Sequence, residues 1–519
     1  MNVKGLIKTG EYFDSVTLMI VGRELSSRPG VRDAAVVMGT AENKAILKSS
    51  GLLTDELSGA RDADLLISVQ AADEPSAASA LAEAEALLKK TRQRGAQAGR
   101  YCPKSLDGAL KVLPDANLAL VSVAGKHAGE VAMNSLRQGL HVMLFSDNVP
   151  LETEVALKTF AASRGLLVMG PDCGTAIING VPLAFANAVS RGEIGIVAAA
   201  GTGLQEVSSI ISNEGAGVSQ AIGTGGRDVK KEVGGIMFLA GLEALAEDAQ
   251  TQVIVLVSKP PHEEVLAKLA HAVQGIRKPV VAAFLGADPA RISRDGMLAA
   301  GTLEEAALLA SALVQGGTAD AVRRRMSAQE EEIERLAVQQ SSRLKKGQRY
   351  VRGLFSGGTF CSETQLIFRE MLPEFYSNVP LPPGRPLADV WRSQGHTFVD
   401  LGEDAFTVGR PHPMIDFSLR NRRLLEEAKD PETAIILLDV VLGYGSNLDP
   451  AGELGPAIAA AREGRDIVFV ASVTGTEKDP QVRSRVEDGL KASGVVVMPT
   501  NAAAAKLAAR IAMNLASNS

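Results

Sequence analysis

The sequence predicts an α/β protein with several doubly wound domains of Rossmann or flavodoxin type and a small α+β unit at the amino terminus. From about residue 116 onward, short apolar, branched runs alternate with segments of helical spacing, which is the pattern of parallel sheets covered by helices. A strand that turns directly into a helix through small residues also occurs twice, at residues 195–207 and 351–363. This recurrence, with comparable strands following each turn, indicates a duplicated α/β module.

Length and composition limit the possible functions. The chain has 519 residues, more than one hydrophobic core usually serves, so several domains are expected. A net charge of −6 argues against a nucleic-acid or membrane-surface role. The three cysteines, Cys102, Cys173 and Cys361, are too scattered for a disulfide framework or a zinc site. With no signal peptide and no apolar run of ~18 residues, we expect a cytoplasmic protein. No metal site is expected.

Residues 1–95 form the small α+β unit, which we expect to be ferredoxin-like. The pattern predicts strands at 15–21, 31–38 and 64–69 and an alanine-rich helix at 76–90. No catalytic motif is visible in this unit. An interaction or assembly module is therefore the favoured interpretation.

Residues 100–186 have the alternation of half a doubly wound domain. Strands are predicted at 118–123, 141–145 and 166–169, and helices at 127–138 and 151–164. The opening G-x-G-x-x-G turn is missing, so a nucleotide site in the usual place is not predicted. Cys173, in the loop that leaves this domain, is either a nucleophile or a small buried cysteine, and the second is the commoner state.

The two modules cover residues 190–317 and 348–519, joined by a charged, solvated linker helix at 318–347. Small residues at each strand–helix turn leave the first backbone N–H groups of the helix uncovered, and these groups with the helix dipole attract anions. The alternative is an ordinary tight turn without a ligand. The candidate phosphate-binding residues are Gly201, Thr202, Gly203, Gly357, Gly358 and Thr359.

Three further side chains are candidates for contact with a substrate. Arg227 follows a glycine-rich turn, and Arg410 lies beside His412 in a proline-rich loop. Arginine recognises carboxylates through paired hydrogen bonds, so these side chains suit an anionic substrate. The alternatives are a long solvent loop for Arg227 and a structural histidine in a proline-braced turn for His412. Cys361, in the first turn of a helix, is expected to be a buried structural cysteine.

These motifs resemble the succinyl-CoA synthetases. Segments similar to the α subunit occur in order at 170–174, 195–202, 222–226 and 278–281. Residues 350–515 resemble the carboxyl-terminal ligase domain of the β subunit, and the whole chain resembles the FdrA family of synthetase-like proteins. The resemblance implies a CoA-binding-type domain at 100–186, an α-type ligase domain at 190–317 and a β-type ligase domain at 348–519.

The FdrA resemblance implies a subunit of oxamate carbamoyltransferase in allantoin (purine) catabolism. The expected reaction is phosphorolysis of oxalurate to oxamate and carbamoyl phosphate, with phosphate or carbamoyl phosphate bound at the two turns. Arg227, Arg410 and His412 are then expected to hold the substrate carboxylate. The expected partners are other subunits of a hetero-oligomer or of a homo-oligomer.

Departures from the synthetases keep alternatives open. The stretch 291–301, where the synthetases carry a phosphorylated histidine, has none, and the glycine turn that binds CoA is absent, so CoA is a doubtful cofactor. The linker is too short for an ATP-grasp domain. One alternative is an acyl-CoA synthetase that acts with a separate nucleotide-binding subunit. The other is a non-catalytic scaffold or regulatory subunit.

Overall fold

A computed structural model describes residues 2–11, 13, 15–26, 28–96, 103–407 and 410–517. The chain divides into two compact units. The first consists of Met1–Asn117, Ser122–Ala124 and Glu403–Asp416, and the second of Leu118–Val121, Gly125–Gly402 and Phe417–Ser519.

The amino-terminal part contains an antiparallel sheet of order β1-β3-β2 with helices between and after the strands. Its elements are β1 (Asn2–Lys8), α1 (Ser15–Ser26), β2 (Val31–Met38), α2 (Ala41–Ser49), α3 (Asp55–Ser58), β3 (Leu65–Ala71), α4 (Glu74–Ala96) and α5 (Leu106–Val112). A ferredoxin-like β-α-β-β-α-β unit has four strands, whereas the described residues of this unit form three.

The strand predicted at residues 15–21 is wrong, because this segment is the helix α1. Its buried side chains Leu18, Val21 and Leu25 recur at helical spacing and belong to the core cluster of the small sheet. The β-branched residues therefore pack as one face of a helix. Burial against the sheet outweighs their preference for strands.

The next segment is a short parallel sheet of order β4-β5-β6, with the alternation that the sequence predicts. Its elements are β4 (Leu118–Val121), α6 (Gly125–Arg137), β5 (His141–Leu144), α7 (Leu151–Ala162) and β6 (Val168–Met169). The α/β fold class is confirmed by this sheet and by the two larger ones that follow.

The first module is built on a sheet of order β13-β12-β11-β9-β10-β7-β8. Strands β9 to β13 are parallel, and the hairpin β7-β8 joins the edge in antiparallel orientation. The elements are β7 (Thr175–Ile178), β8 (Val181–Ala184), β9 (Arg191–Ala198), α8 (Gly201–Asn213), β10 (Val218–Gly223), α9 (Ile236–Glu247), β11 (Val253–Ser258), α10 (Glu263–Gln274), β12 (Val280–Phe284), α11 (Pro289–Arg294), β13 (Leu298–Ala299) and α12 (Leu303–Val314).

The linker is the helix α13 (Ala319–Ser341), and one stripe of it is buried. The second module follows, with a parallel sheet of order β16-β15-β17-β14-β18-β19-β20. Its elements are β14 (Tyr350–Phe355), α14 (Gly358–Met371), β15 (Phe375–Ser377), β16 (Arg385–Pro386), β17 (His396–Asp400), α15 (Asp404–Thr407), α16 (Ser418–Glu427), β18 (Thr433–Val441), α17 (Pro450–Arg462), β19 (Val468–Thr474), α18 (Arg483–Ala492), β20 (Val495–Met498) and α19 (Asn501–Ser517).

The central strands of both modules are buried on both faces, as parallel sheets require. All six residues of β11 and all nine of β18 are buried. In each module the middle strand of the sheet, β9 or β14, leads directly into the helix α8 or α14. The first turn of each of these helices contains the candidate phosphate-binding residues. This arrangement sets both turns at the carboxyl edge of a sheet, where α/β proteins bind ligands.

Candidate functional site

The structure brings the two predicted turns into contact. A Cβ atom added to Gly357 would lie 2.7 Å from Cγ2 of Thr202, and one added to Gly203 would lie 3.1 Å from Cγ2 of Thr359. Both threonines are 7% exposed. Each threonine therefore packs against a glycine of the opposite turn, and a larger residue at either glycine would push the two helices apart.

The beginning of α8 is open. Gly201 is exposed, and a Cβ atom there would meet nothing within 4 Å. The N-cap residue Ala200 has no capping side chain, and the first turn contains no acidic residue. Among the described residues, none accepts a hydrogen bond from the N–H groups of Gly201, Thr202 or Gly203. These groups and the helix dipole make this end suitable for an anion.

The beginning of α14 is already paired with acidic side chains. Oδ2 of Asp439 accepts hydrogen bonds from the N–H of Gly357 at 3.0 Å and from the hydroxyl of Ser356 at 2.7 Å. A Cβ atom at Gly358 would lie 2.5 Å from Oδ2 of Asp400. Burial raises the pKa of Asp439. Because the N–H of Gly357 already donates to Asp439, it is not available to a phosphate. The two turns are therefore not equivalent.

One residue accounts for this difference between the modules. Leu438 pairs with Leu354 in the second sheet, and Leu256 pairs with Val197 in the first. Leu354 and Val197 occupy equivalent positions, because each lies five residues before the threonine of its turn. Their strand partners Leu438 and Leu256 are therefore equivalent. The residues that follow these partners, Asp439 and Val257, are equivalent as well. An apolar residue at that position leaves the start of α8 without a carboxylate partner.

Two buried glutamates, one in each module, accept equivalent hydrogen bonds from the other module. Glu206 and Glu363 each lie four residues after the threonine of their turn. Oε1 of Glu206 accepts a hydrogen bond from the N–H of Asn501, the first residue of α19, at 3.0 Å. Oε1 of Glu363 accepts from the N–H of Leu303, the first residue of α12, at 2.8 Å. Each module thus provides the acceptor for the first N–H of the other module's last helix.

The Asn501 side chain links these two caps, because its Nδ2 donates to Oε2 of Glu363 at 2.8 Å. Burial raises the pKa of both glutamates, and that of Glu363 rises to about 7. Neither glutamate is among the site residues predicted from the sequence. The signal in the sequence is a glutamate at the same distance from the threonine in both turns.

Arg227, whose side chain is 39% exposed, lies at the edge of a buried ionic cluster between the first module and α7. Its Nε is 2.8 Å from Oε2 of Glu154, and its Nη2 donates to the carbonyl of Val149 at 2.8 Å. Next to it, the ammonium group of Lys158 is 2.7 Å from Glu154 and 2.8 Å from Asp228. These contacts hold the glycine-rich turn in place. A substrate contact for Arg227 stays a prediction.

Arg410 and His412 belong to the compact unit that contains residues 1–117. Nη2 of Arg410 lies 3.2 Å from the hydroxyl of Ser50 and 3.6 Å from Oδ2 of Asp33. Nδ1 of His412 accepts a hydrogen bond from the N–H of Met414, and burial lowers the pKa of His412 to about 4. A neutral imidazole brings no charge to a carboxylate, and the substrate roles of both residues stay predictions.

Cys173 and Cys361 are buried, and burial raises the pKa of each thiol, that of Cys173 to about 12. A thiol in such a site is a poor nucleophile. Cys102 lies outside the described residues. Within the described ranges no cluster of three or more His, Cys, Asp or Glu side chains is placed to hold a metal ion, and no helix is long and apolar enough to cross a bilayer.

Comparison with known proteins identifies the family. YahF of Escherichia coli (strain K12) is 43% identical over 509 residues, which cover 96% of both chains. The chain belongs to the YahF family. Models of three protein families match parts of the chain. They are the heavy metal-associated domain of AllF at residues 1–102, the CoA binding domain at 189–286 and the CoA-ligase at 354–511.

More distant relatives of this YahF-family chain are CoA ligases. The α subunit of the ADP-forming succinate–CoA ligase of Methanothermobacter thermautotrophicus is 26% identical over 216 residues, 41% of this chain and 67% of the relative. Among solved structures, the dinucleotide-forming acetyl-coenzyme A synthetase 1 of Ca. Korarchaeum cryptofilum, in complex with phosphate and ADP, is 14% identical. That alignment covers 81% of this chain and 88% of the synthetase, with a TM-score of 0.33.

The similarity to succinyl-CoA synthetases is therefore confirmed, whereas the predicted carbamoyltransferase activity is wrong. The family description matched at residues 354–511 is CoA-ligase, and the Methanothermobacter relative is a CoA ligase subunit, which is a different reaction class from transfer of a one-carbon group. The CoA-binding match falls on residues 189–286, whereas the CoA-binding-type domain is predicted at 100–186. The match to a heavy metal-associated domain covers a segment whose first 101 residues contain neither cysteine nor histidine.

Proposed function

We propose that this chain is the ligase core of an acyl-CoA ligase, and that it transfers an acyl group from an acyl phosphate to the thiol of CoA. The observation that carries the proposal is the open beginning of α8 at the contact between two modules. One of these modules matches a CoA binding domain and the other a CoA-ligase. A phosphate leaving group needs a site of this kind.

In the proposed reaction, the sulfur of CoA attacks the carbonyl carbon of the acyl phosphate, and the bond from that carbon to the phosphate oxygen breaks. The thiol proton ends on the released phosphate, so the products are a thioester and inorganic phosphate. The N–H groups of Gly201 and Thr202 stabilise the charge on the departing phosphate. In other enzymes, removing one fixed hydrogen-bond donor that stabilises developing negative charge costs about 10²–10³ in rate.

The acyl phosphate must come from elsewhere. The linker between the modules is the single helix α13, and residues 291–301 contain no histidine to carry a phosphoryl group. The curated relative in Methanothermobacter is named as a subunit of its ligase. We propose by analogy that a separate nucleotide-binding chain makes the acyl phosphate and that this chain completes the reaction.

The test mixes the purified chain with acetyl phosphate and CoA and follows acetyl-CoA and phosphate release. We expect Gly201→Val to lower the rate by about 10²-fold, because the side chain enters the open space in front of the helix. Gly275→Val is the matched control, since Gly275 is exposed, has a helical φ of −85° and is the C-cap residue of α10, at the opposite end from the helix N-terminus.

An equal rate in wild type and Gly201→Val would refute the assignment of the phosphate to α8. A wild-type chain that forms no thioester, and that binds neither CoA nor phosphate in equilibrium dialysis, would favour a scaffold or regulatory subunit.

A further inference from the structure

Arg420, on α16, is completely buried, yet only part of its guanidinium group is hydrogen-bonded. Nη1 donates to the carbonyl oxygen of Asp439 at 2.6 Å and lies 3.2 Å from Oδ1 of the same residue. Nε and Nη2 have no hydrogen-bond partner among the described residues. One face of the group lies 4.1 Å from the ring centre of Phe417. A buried charge with an unpaired edge is costly and calls for an explanation.

The unpaired edge has a specific geometry. Nε and Nη2 lie side by side on the guanidinium plane, and together they offer two parallel N–H bonds to the two oxygens of a carboxylate. Because the group is out of water, such a pair of bonds would be stronger here than at the surface. Burial also lowers the pKa of Arg420, whereas the nearby carboxylates of Asp439 and Glu453 act in the opposite direction.

The charge balance favours a monoanion. Asp439 already offsets one positive charge at a distance of 3.2 Å, and Glu453 also acts on Arg420 electrostatically. A phosphate dianion would add two negative charges in this buried place, whereas a carboxylate adds only one and its two oxygens match the planar edge. We infer that the Nε/Nη2 edge of Arg420 is a binding site for a carboxylate group of a small organic acid.

This site is connected to the turn at the start of α14 through a single side chain. Asp439 contacts Arg420 with Oδ1 and the N–H of Gly357 with Oδ2. An acid held by Arg420 is therefore positioned relative to the place where the two modules meet. The inference does not rest on the thioester chemistry proposed above, because it concerns binding alone.

The experiment measures binding of succinate and of succinamide, its neutral diamide of nearly the same shape, to the full-length chain by isothermal titration calorimetry. We expect the wild type to bind succinate at least tenfold more tightly than succinamide, because charge-assisted hydrogen bonds are stronger than neutral ones. Arg420→Lys keeps the charge but loses the paired geometry, and we expect it to bind succinate roughly tenfold more weakly. Arg422→Lys, at an exposed position of the same helix, is the control.

The variant Asp439→Asn tests whether Arg420 binds the carboxylate itself or only positions Asp439. If Arg420 binds the carboxylate itself, removal of the neighbouring negative charge leaves succinate affinity equal or higher. If Arg420 serves only to hold Asp439, this variant loses succinate binding as Arg420→Lys does, and the inference is overturned. It is also overturned if the wild type does not distinguish succinate from succinamide, or if Arg420→Lys and Arg422→Lys bind succinate alike. Thioester formation without selective succinate binding would reject this site alone and leave the proposed reaction intact.

Discussion

Glu363 should make the stability of the joined modules depend on pH. Its carboxyl group has a pKa of about 7 in the folded chain, mainly because it is buried, against an ordinary value of 4.5. Between these values the folded state keeps a proton that the unfolded state releases, so stability falls as the pH rises through 7. At 1.4 kcal/mol per unit of pKa, the loss between about pH 5 and about pH 8.5 is roughly 2.5 kcal/mol.

The perturbation is Glu363→Gln, which resembles the protonated acid and does not titrate. We expect the unfolding free energy of the variant, relative to wild type, to increase by roughly 2.5 kcal/mol between about pH 5 and about pH 8.5. Urea unfolding can be followed by fluorescence of Trp391, the only tryptophan in the sequence. Glu331→Gln, at an exposed position on α13, controls for the loss of one charge. Parallel pH profiles for wild type and Glu363→Gln would refute the reasoning.

Three further outcomes are expected. Gly357→Ala should destabilise the chain by about 1–3 kcal/mol, since its Cβ would lie 2.7 Å from Thr202. Thr202→Ala should recover part of that loss, whereas strict additivity in a double-mutant cycle would contradict the contact. Lys158→Met should cost about 3–5 kcal/mol because two buried carboxylates lose their counterion, and the exposed control Lys231→Met should cost less than about 1 kcal/mol in the same denaturation assay. Cys173 should resist iodoacetamide until the protein unfolds, and mass spectrometry showing rapid native labelling would disprove this.

Local sequence patterns were sufficient for most of the fold. The central strands are continuous apolar runs, and small residues follow them at both turns, so the start of α8 and the start of α14 could be predicted closely. The segment 15–21 shows where this fails, because a β-branched run can also fill one face of a buried helix. Periodicity over so few residues does not separate the two outcomes.

The chemical character of the site depends on residues far apart in the sequence. Glu206 is 295 residues from Asn501, and the hydrogen bond from Ser356 to Asp439 spans 83 residues. The two turns have similar sequences. A residue on the neighbouring strand gives the start of α14 a carboxylate partner, whereas the equivalent residue leaves the start of α8 without one. That neighbour, Asp439 or Val257, becomes visible only once the strand register is known.

The crossed glutamate caps have a consequence for how this protein can be divided. Glu206 completes α19 and Glu363 completes α12, so each half would carry an unfinished helix if it were produced alone. Cutting the backbone within residues 342–349 should leave the two fragments bound as a stable heterodimer. Halves produced as separate polypeptides should therefore be more stable together than alone, since each supplies the cap that the other's last helix lacks.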